Sequence, residues 1–559
     1  MSRLPILLCL SLLACLNPCV CGQPPGEKKD RDALPDGARL RLGRIVKINP
    51  AAPNYRSAVI ALAFTADGKT LRSASYDGKV LSWDPSTGEL TNELTLIVKK
   101  PKFGVDSRIH SVVLSPDGRL AATCHSEPRD RVRLWNLTNG QVEAELKTST
   151  YLWFGLVFSG DSQRLVAVGT ENSAKNLADI WDMDRDRKVT KLSYTLPGIA
   201  PSDLTPRLAC SPDGKQVVFG ALYSARATGG GTRLLMLEVA GGKEMFSIDV
   251  PNFSGVGPGG ECTRLLAFSP GGKLLAFPGP KRTIVLVRTD IGKQHRALNP
   301  GQGAANVAAL AFSRDGRTLA VASGDDPRET RVELWEVASG QLRTAFPGMG
   351  RAGVIVSVAW SPDSLTLASG STDTTVILWD AGGLHGQKPL TLTPEELDAD
   401  WASFAKPDGE ASFRSQRRML LSPAEAVAFL KKRLRPVTEP AVDAKEVETW
   451  LQELDSDDFD TRDRAFRALE KLGVAAEPAL RKARTSKLRL EALRRVDDLL
   501  GRLERMDLTG DELAAVRAVE VLERIATPAS RAILEECAAG APGAILTREA
   551  KTALGRLAR

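Results

Sequence analysis

Apolar and polar residues alternate with a period of two through most of the first 390 positions, and the pattern recurs. Each unit has an alternating run, then Ser-x-Asp-Gly or a close variant, then a second run, then a third strand. The copies are Val59 to Leu90 with AFTADGK and VLSWD, Ile109 to Val142 with VLSPDGR and VRLWN, and Tyr151 to Val189 with VFSGDSQ and ADIWD. They continue with Arg207 to Glu244 (ACSPDGK, LLMLE), Thr263 to Gln294 (AFSPGGK, IVLVR), Val307 to Leu342 (AFSRDGR, VELWE) and Ile355 to Leu384 (AWSPDSL, VILWD). The turn position falls at Asp67, Asp117, Asp161, Asp213, Gly271, Asp315 and Asp363, at spacings of 50, 44, 52, 58, 44 and 48 residues.

A period of two puts alternate side chains on opposite faces of a strand. Asp-Gly between two such runs makes a hairpin turn, because glycine tolerates positive φ and aspartate bonds its own backbone. Such a blade cannot bury its faces alone, and radial repetition supplies the neighbours. Seven units predict an all-β, seven-bladed propeller over 38–388.

Five units end their third strand in Trp83-Asp84, Trp135-Asn136, Trp181-Asp182, Trp335-Glu336 and Trp379-Asp380. In this the chain resembles WD40-repeat proteins over about 350 residues. The resemblance implies four strands per blade with the tryptophan ending the third. Two departures follow. The Gly-His dipeptide of that family is absent from every unit, so the His–Asp–Ser–Trp hydrogen-bond network is expected to be missing. The fourth and fifth units carry Leu237 and Val287 in place of tryptophan. No fourth strand is apparent after Trp379, whereas Arg39-Leu40-Arg41-Leu42 alternates as an edge strand does. The segment 38–45 is therefore expected to complete the seventh blade as a clasp.

From Pro394 the period changes to 3.6, turn glycines become rare, and Ala, Leu, Glu and Arg dominate. Three short helices are expected to bridge propeller and tail over 389–436, with a proline-stiffened joint at Leu434 to Pro440. Leu454-Asp455-Ser456-Asp457 reads as an N-cap, followed by Phe459, Ala465, Phe466, Leu469 and Leu472 near one helix face and Gly473 as the stop. Glu477-Pro478 opens another helix, and Leu513 to Ile525 followed by Thr527-Pro528 repeats the theme. These pairs resemble HEAT-like repeats, which implies an all-α solenoid over 437–559 that offers grooves to other proteins.

The first residues read as an address. Arg3 precedes Leu4 to Leu13, an apolar stretch too short to span a bilayer but suited to a signal peptide over 1–22, with a linker over 23–37. Leu12-Leu13-Ala14-Cys15 resembles a lipobox that would lipidate Cys15. Cleavage near Gly22 is the exclusive alternative. No later segment is apolar enough for a transmembrane span. Four of eight cysteines (Cys9, Cys15, Cys19, Cys21) lie in this segment, and Cys124, Cys210, Cys262 and Cys537 show no metal or disulfide spacing.

Net charge is +7, and 29 basic and 31 acidic residues lie from Thr391 onward, so the positive excess sits ahead of it. Spread over some 390 residues, it leaves no nucleic-acid footprint. His110, His125, His295 and His385 lie far apart, outside any HExxH spacing. Gly68-Lys69-Thr70 ends like a phosphate loop, but Ala63 stands where its first glycine is needed. Asp455, Asp457, Asp458 and Asp460 lack EF-hand spacing. No GxSxG elbow occurs. Tyr151, Trp153 and Phe154 open the third unit as an aromatic group that suits blade packing or a partner contact. The expectation is a monomeric, non-catalytic scaffold without cofactor or metal that binds protein partners and is exported to the periplasm, the cell envelope or beyond. An exported propeller enzyme (lactonase, peptidase or quinone-dependent) or a carbohydrate or small-ligand binder is the alternative.

Overall fold

The computed structural model describes residues 34–43, 57–96, 109–125, 131–148, 152–172, 175–183, 189–194, 207–223, 231–251, 265–280, 283–299, 307–324, 329–348, 353–437, 444–484, 486, 488–505, 508 and 510–558. The signal segment with Cys15, Tyr151, Cys262, residues 44 and 45 of the expected clasp, and residues 438–440 of the joint lie outside them, as do the side chains of His110, Trp153 and Phe154. Residues Pro35 to Arg559 form one compact unit.

Seven four-stranded antiparallel sheets stand around an axis. The chain enters with β1 (Ala38–Leu42). Blade 1 is β2 (Val59–Phe64), β3 (Leu71–Ser75), β4 (Lys79–Trp83) and β5 (Leu90–Thr95). Blade 2 is β6 (Ile109–Leu114), β7 (Leu120–His125), β8 (Arg131–Asn136) and β9 (Val142–Lys147). Blade 3 is β10 (Leu152–Phe158), β11 (Arg164–Asn172), β12 (Lys175–Asp182) and β13 (Val189–Tyr194). Blade 4 is β14 (Arg207–Cys210), β15 (Gln216–Tyr223), β16 (Gly231–Glu238) and β17 (Glu244–Pro251). Blade 5 is β18 (Ala267–Phe268), β19 (Leu274–Pro278), β20 (Ile284–Arg288) and β21 (Gln294–Leu298). Blade 6 is β22 (Val307–Phe312), β23 (Thr318–Ser323), β24 (Arg331–Glu336) and β25 (Leu342–Pro347). Blade 7 is β26 (Ile355–Trp360), β27 (Thr366–Ser371) and β28 (Val376–Asp380), and its outer strand is β1, which pairs antiparallel with β28 through Leu40–Leu378 and Leu42–Val376. The observed strand stops at Leu42, short of the expected Ile45.

The first strand of each blade faces the axis, and the inner strands β26, β2 and β6 pack side by side, as do β22 and β26. Between blades the cores are apolar: Leu42, Val59, Phe64, Leu71, Trp83 and Val376 are buried together where blade 7 meets blade 1. Blades 4 and 5, without a tryptophan, close over Leu237 and Val287, 4% and 2% exposed. A bulge recurs at the tryptophan, where the ladder slips between Ser82 and Trp83, between Leu134 and Trp135 and between Leu334 and Trp335. Such a bulge strengthens local twist and turns the outer strand away from its neighbour.

The hydrogen-bond network expected to be missing is present in part. The Trp83 indole donates to Ser73 Oγ at 3.0 Å, Trp135 to Thr123 Oγ1 at 2.8 Å and Trp379 to Ser369 Oγ at 2.8 Å. A buried indole N–H needs an acceptor whatever the rest of the network does. In blade 6 Glu333 Oε2 takes that place, at 3.2 Å from the Trp335 indole.

The described tail has ten helices: α1 (Pro394–Phe404), α2 (Gly409–Leu421), α3 (Pro423–Arg433), α4 (Ala444–Glu453), α5 (Phe459–Leu472), α6 (Glu477–Arg484), α7 (Leu490–Arg505), α8 (Gly510–Ile525), α9 (Pro528–Ala538) and α10 (Ile545–Leu557). They do not form one continuous stack. The core of α1–α3 is shared with α8–α10, where Phe404, Met419 and Leu430 are buried with Val519, Leu534 and Ala550. The four helices α4–α7 keep a separate core of Leu454, Ala465, Leu469, Leu480, Val496 and Leu499. The bridging helices thus belong with the end of the chain, and α4–α7 are inserted between them. Two further expectations shift. The N-cap of α5 is Asp458, which accepts from the Thr461 amide, rather than a residue of 454–457. Phe459 is 60% exposed instead of facing the core.

Removing residues 34–43 is expected to leave β28 as an open edge and to uncover the blade 7–blade 1 core, since an unpaired edge is an aggregation template. Size-exclusion profile and thermal unfolding of the deletion variant should show self-association and a lower Tm; an unchanged monomer would refute the role of β1. Trp379→Ala should cost about 3–5 kcal/mol in urea unfolding, the range for truncating a fully buried aromatic.

Candidate functional site

The turns between first and second strands gather on one face of the ring, and six of them are closed by an aspartate that bonds its own turn. In blade 1 Thr65 Oγ1 donates to Asp67 Oδ1 at 2.6 Å, and the same oxygen accepts from the Lys69 amide. Asp117, Asp161, Asp213, Asp315 and Asp363 accept in the same way from the amide two residues on. Gly271 leaves blade 5 without that carboxylate, and Ser269 Oγ alone holds the Leu274 amide at 3.0 Å. These aspartates are turn builders, as their backbone bonds explain.

Two turns lack the glycine after the aspartate, and there Ser162 and Ser364 take φ of 62° and 60°. Each hydroxyl accepts from a turn amide of the preceding blade: Ser162 from Asp117 and Ser364 from Asp315, both at 3.1 Å. The left-handed conformation of a non-glycine residue is thereby tied to a contact between blades.

On the same face the helices dock against blade 6 through buried charge. Glu336, the residue after Trp335, ends β24 and is 2% exposed. Its carboxylate accepts from Arg517 of α8 twice, at 3.0 and 2.6 Å, and from Arg343 of β25 at 3.3 Å. Arg343 also forks onto Glu520 of α8 at 2.9 and 2.7 Å, and its other donor bond goes to Thr318 Oγ1. Arg524 and Gln416 complete the shell of Glu520, at 2.8 and 3.1 Å. The remaining Arg517 donor reaches the carbonyls of Phe404 and Lys406, both at 2.7 Å. A second pairing sets Glu523 between Arg317 of blade 6 and Arg556 of α10. Burial alone would raise Glu336 and Glu520, but the facing arginines outweigh it and hold both carboxyls below the usual glutamate range. Gly409 at the start of α2 fits because a Cβ there would come within 2.4 Å of the Leu342 carbonyl oxygen.

The other sequence landmarks have structural positions. Asp84 and Asn136 accept from backbone amides of their own turns, and Asp380 accepts from the Gly383 and His385 amides at 2.8 Å. Asp182 and Trp181 end β12, with Trp181 fully buried. His125 is buried beside Thr123, and His385 is exposed. Asp455 and Asp457 are paired with Arg489, and Asp458 is a helix cap. Among the described residues no group of three or more His, Cys, Asp or Glu could hold a metal ion. Cys124, Cys210 and Cys537 are buried thiols; burial pushes Cys210 up to about 12 and Cys537 up to about 11, which favours the protonated thiol of these two at neutral pH. An open, polar cleft of about 830 Å³ lies between β21 and blade 6, lined by His295, Arg296, Asn299, Glu333, Trp335 and Gln341. Burial raises the Glu333 carboxyl there, with Arg331 and the Trp335 indole opposing.

With this geometry in place, comparison with known proteins is specific for the blades. The WD domain, G-beta repeat family matches residues 52–84 and 340–380. WD repeat-containing protein 26 homolog of Arabidopsis thaliana is 24% identical over 337 residues, 58% of this chain and 49% of that protein. WD repeat-containing protein 1 of Bos taurus is 29% identical over 205 residues, 35% of this chain and 29% of that protein. COMPASS component SWD3 of Saccharomyces cerevisiae is 28% identical over 158 residues, 28% of this chain and 46% of that protein. The chain thus carries WD40 repeats and spans half or less of the length of these relatives.

Arg517→Met should destabilise the chain by about 3–5 kcal/mol in urea unfolding, because it leaves a buried carboxylate short of its partner. Adding Glu336→Leu should restore part of that loss, and a purely additive double variant would refute the pairing. Both glutamates are depressed in the folded state. Their contribution is therefore present at neutral pH and is lost as pH falls below the ordinary value of 4.5. Thermal unfolding from pH 7 to pH 3 should show a steeper acid loss for the wild type than for Glu520→Gln.

Proposed function

We propose that the chain is a non-catalytic protein–protein interaction scaffold of the bacterial cell envelope. The observation that carries the reading is the buried Arg517–Glu336–Arg343–Glu520 lattice, which fixes the helices on blade 6 and makes one composite surface of two architectures. Rigid presentation lowers the ordering cost of binding, so a fused surface suits a partner that touches both parts. The names of the matched relatives as WD repeat-containing proteins, and of one as a COMPASS component, agree with a role among other proteins. The helices supply the HEAT-like half of the reading, with α4–α7 keeping an apolar core of their own. Export rests on Arg3 and the apolar stretch Leu4 to Leu13, with Cys15 as lipid acceptor or Gly22 as cleavage point. A second reading, a carbohydrate or small-ligand binder, draws on the polar cleft beside Glu333 and Trp335.

Crosslinked pull-down from the cell envelope with the tagged full chain is expected to return a defined partner. A charge-reversed turn face (Lys69→Glu, Lys273→Glu) or an altered helical insertion (Phe459→Asp, Leu490→Asp) should lose it according to which surface binds. Recovery of the chain alone under every condition would overturn the scaffold reading. A saccharide-induced rise in Tm, abolished by Glu333→Gln, would favour the second.

A further inference from the structure

Around the ring, the turn that precedes an outer strand sets a glycine against the outer strand of the blade before it. Gly88 lies against Leu42, Gly140 against Leu94, Gly242 against Leu192, Gly292 against Phe246 and Gly37 against Phe346. Each contact seals the perimeter of a blade junction with an apolar side chain. The junction of blades 5 and 6 departs from this pattern, because Gly340 lies against Arg296 of β21. An arginine lays its stem along a packed surface but holds its guanidinium toward water. The seam is polar here, and the cleft of about 830 Å³ lies in it.

A second departure faces the same cleft. Val321 occupies the place that Ser73, Thr123 and Ser369 hold in blades 1, 2 and 7, opposite the residue two before the tryptophan. Glu333 receives the Trp335 indole instead, and its side chain is 5% exposed in the cleft wall. The other partner of its carboxylate is Arg331, at 2.8 Å on the same strand. A carboxylate has about four acceptor sites, so two partners leave capacity unused. Burial outweighs both partners and raises the Glu333 carboxyl, and a further donor would offset that desolvation. Gln294, Asn299 and Gln341 add amides that donate and accept, and Arg296 adds a fork of donors. Binding sites of this size are mostly apolar, whereas this lining is polar and carries both signs of charge. It suits neither an apolar ligand nor a polyanion. It fits a neutral ligand whose polar groups each donate and accept, and the hydroxyl is such a group.

We propose that the cleft between blades 5 and 6 binds a neutral saccharide, with adjacent hydroxyls donating to Glu333 and the amides of Gln294, Asn299 and Gln341 bonding the others. The proposal rests on the ligand-binding reading of this cleft and names the ligand's chemistry and its anchor. Hydroxyls that donate to a carboxylate make charge-assisted bonds, the strong class. Arg296 donates to a hydroxyl or ring oxygen from the β21 side.

The test is isothermal titration of the purified full chain with cellotetraose, maltotetraose and chitotetraose, beside the galacturonate and glucosamine tetramers as charged counterparts. At least one neutral tetramer should bind one-to-one, and at least about tenfold tighter than either charged one, the factor for one bond to a charged group. Glu333→Gln should weaken that binding by at least about tenfold. Arg296→Leu gives this junction the side chain of its neighbours, and it should keep the Tm while abolishing binding. Gln341→Ala, a change at the exposed rim, should also keep the Tm and weaken binding about three- to tenfold. A charged tetramer that binds more tightly and is lost in Arg296→Leu overturns the neutral-saccharide assignment and leaves the ligand-binding reading standing. A neutral tetramer that binds all three variants as it binds wild type has the same consequence, since its site is then elsewhere. No binding by any tetramer overturns the proposal together with the carbohydrate half of the reading on which it rests.

Discussion

A four-stranded blade has two faces to bury and no means of burying either alone. The ring exists because each sheet covers its neighbours, and it holds only if the last sheet meets the first. That junction is made by a strand taken from the other end of the chain: β1 lies on β28, and Leu42 drops into the same core as Trp83 and Val376. Every other feature hangs on this closure. The turn face is a surface only because seven turns are held at fixed angles, and the helices find blade 6 only because blade 6 is held by blades 5 and 7.

The attachment of the helices uses a costlier device. Two glutamates and two arginines are withdrawn from water to 3% exposure or less. Desolvation of such a lattice consumes much of what its Coulomb attraction returns, so it adds little net stability over an apolar contact of the same shape. What it does add is geometry. A guanidinium fork fits a carboxylate in few orientations, and Arg517 is held at both ends, by Glu336 on the propeller and by the carbonyls that end α1. The helices therefore sit on the ring in one register.

Much of the architecture was legible in the sequence. The turn spacing and the tryptophans gave seven units because both are local signals, each confined to a few residues. The helical period and Gly473 were read for the same reason. What escaped was long-range. Glu336 looked like the acidic partner of a WD pair, and nothing near it in sequence announces Arg517, 181 positions away. The association of α1–α3 with α8–α10 was hidden because α4–α7 carry the same amphipathic period as the helices around them. Phe459 matched the spacing of a core face, yet it begins its helix beyond the end of the core, under Arg462 and Arg495.

The inserted helices also set a timetable. A chain made from its N-terminus presents β1 more than three hundred residues before β28 exists to receive it. It presents Glu336 and Arg343 well before α8. Neither end can be finished early, and the middle cannot substitute for them. On the ribosome the nascent protein carries an open ring until β28 has emerged and a bare cluster of charge until α8 has followed, so the ring is completed first. For a cell the exposed interval is when a chaperone has most to hold. For the protein it means that the helices can lock onto blade 6 only after α8 has been made, a step apart from ring closure.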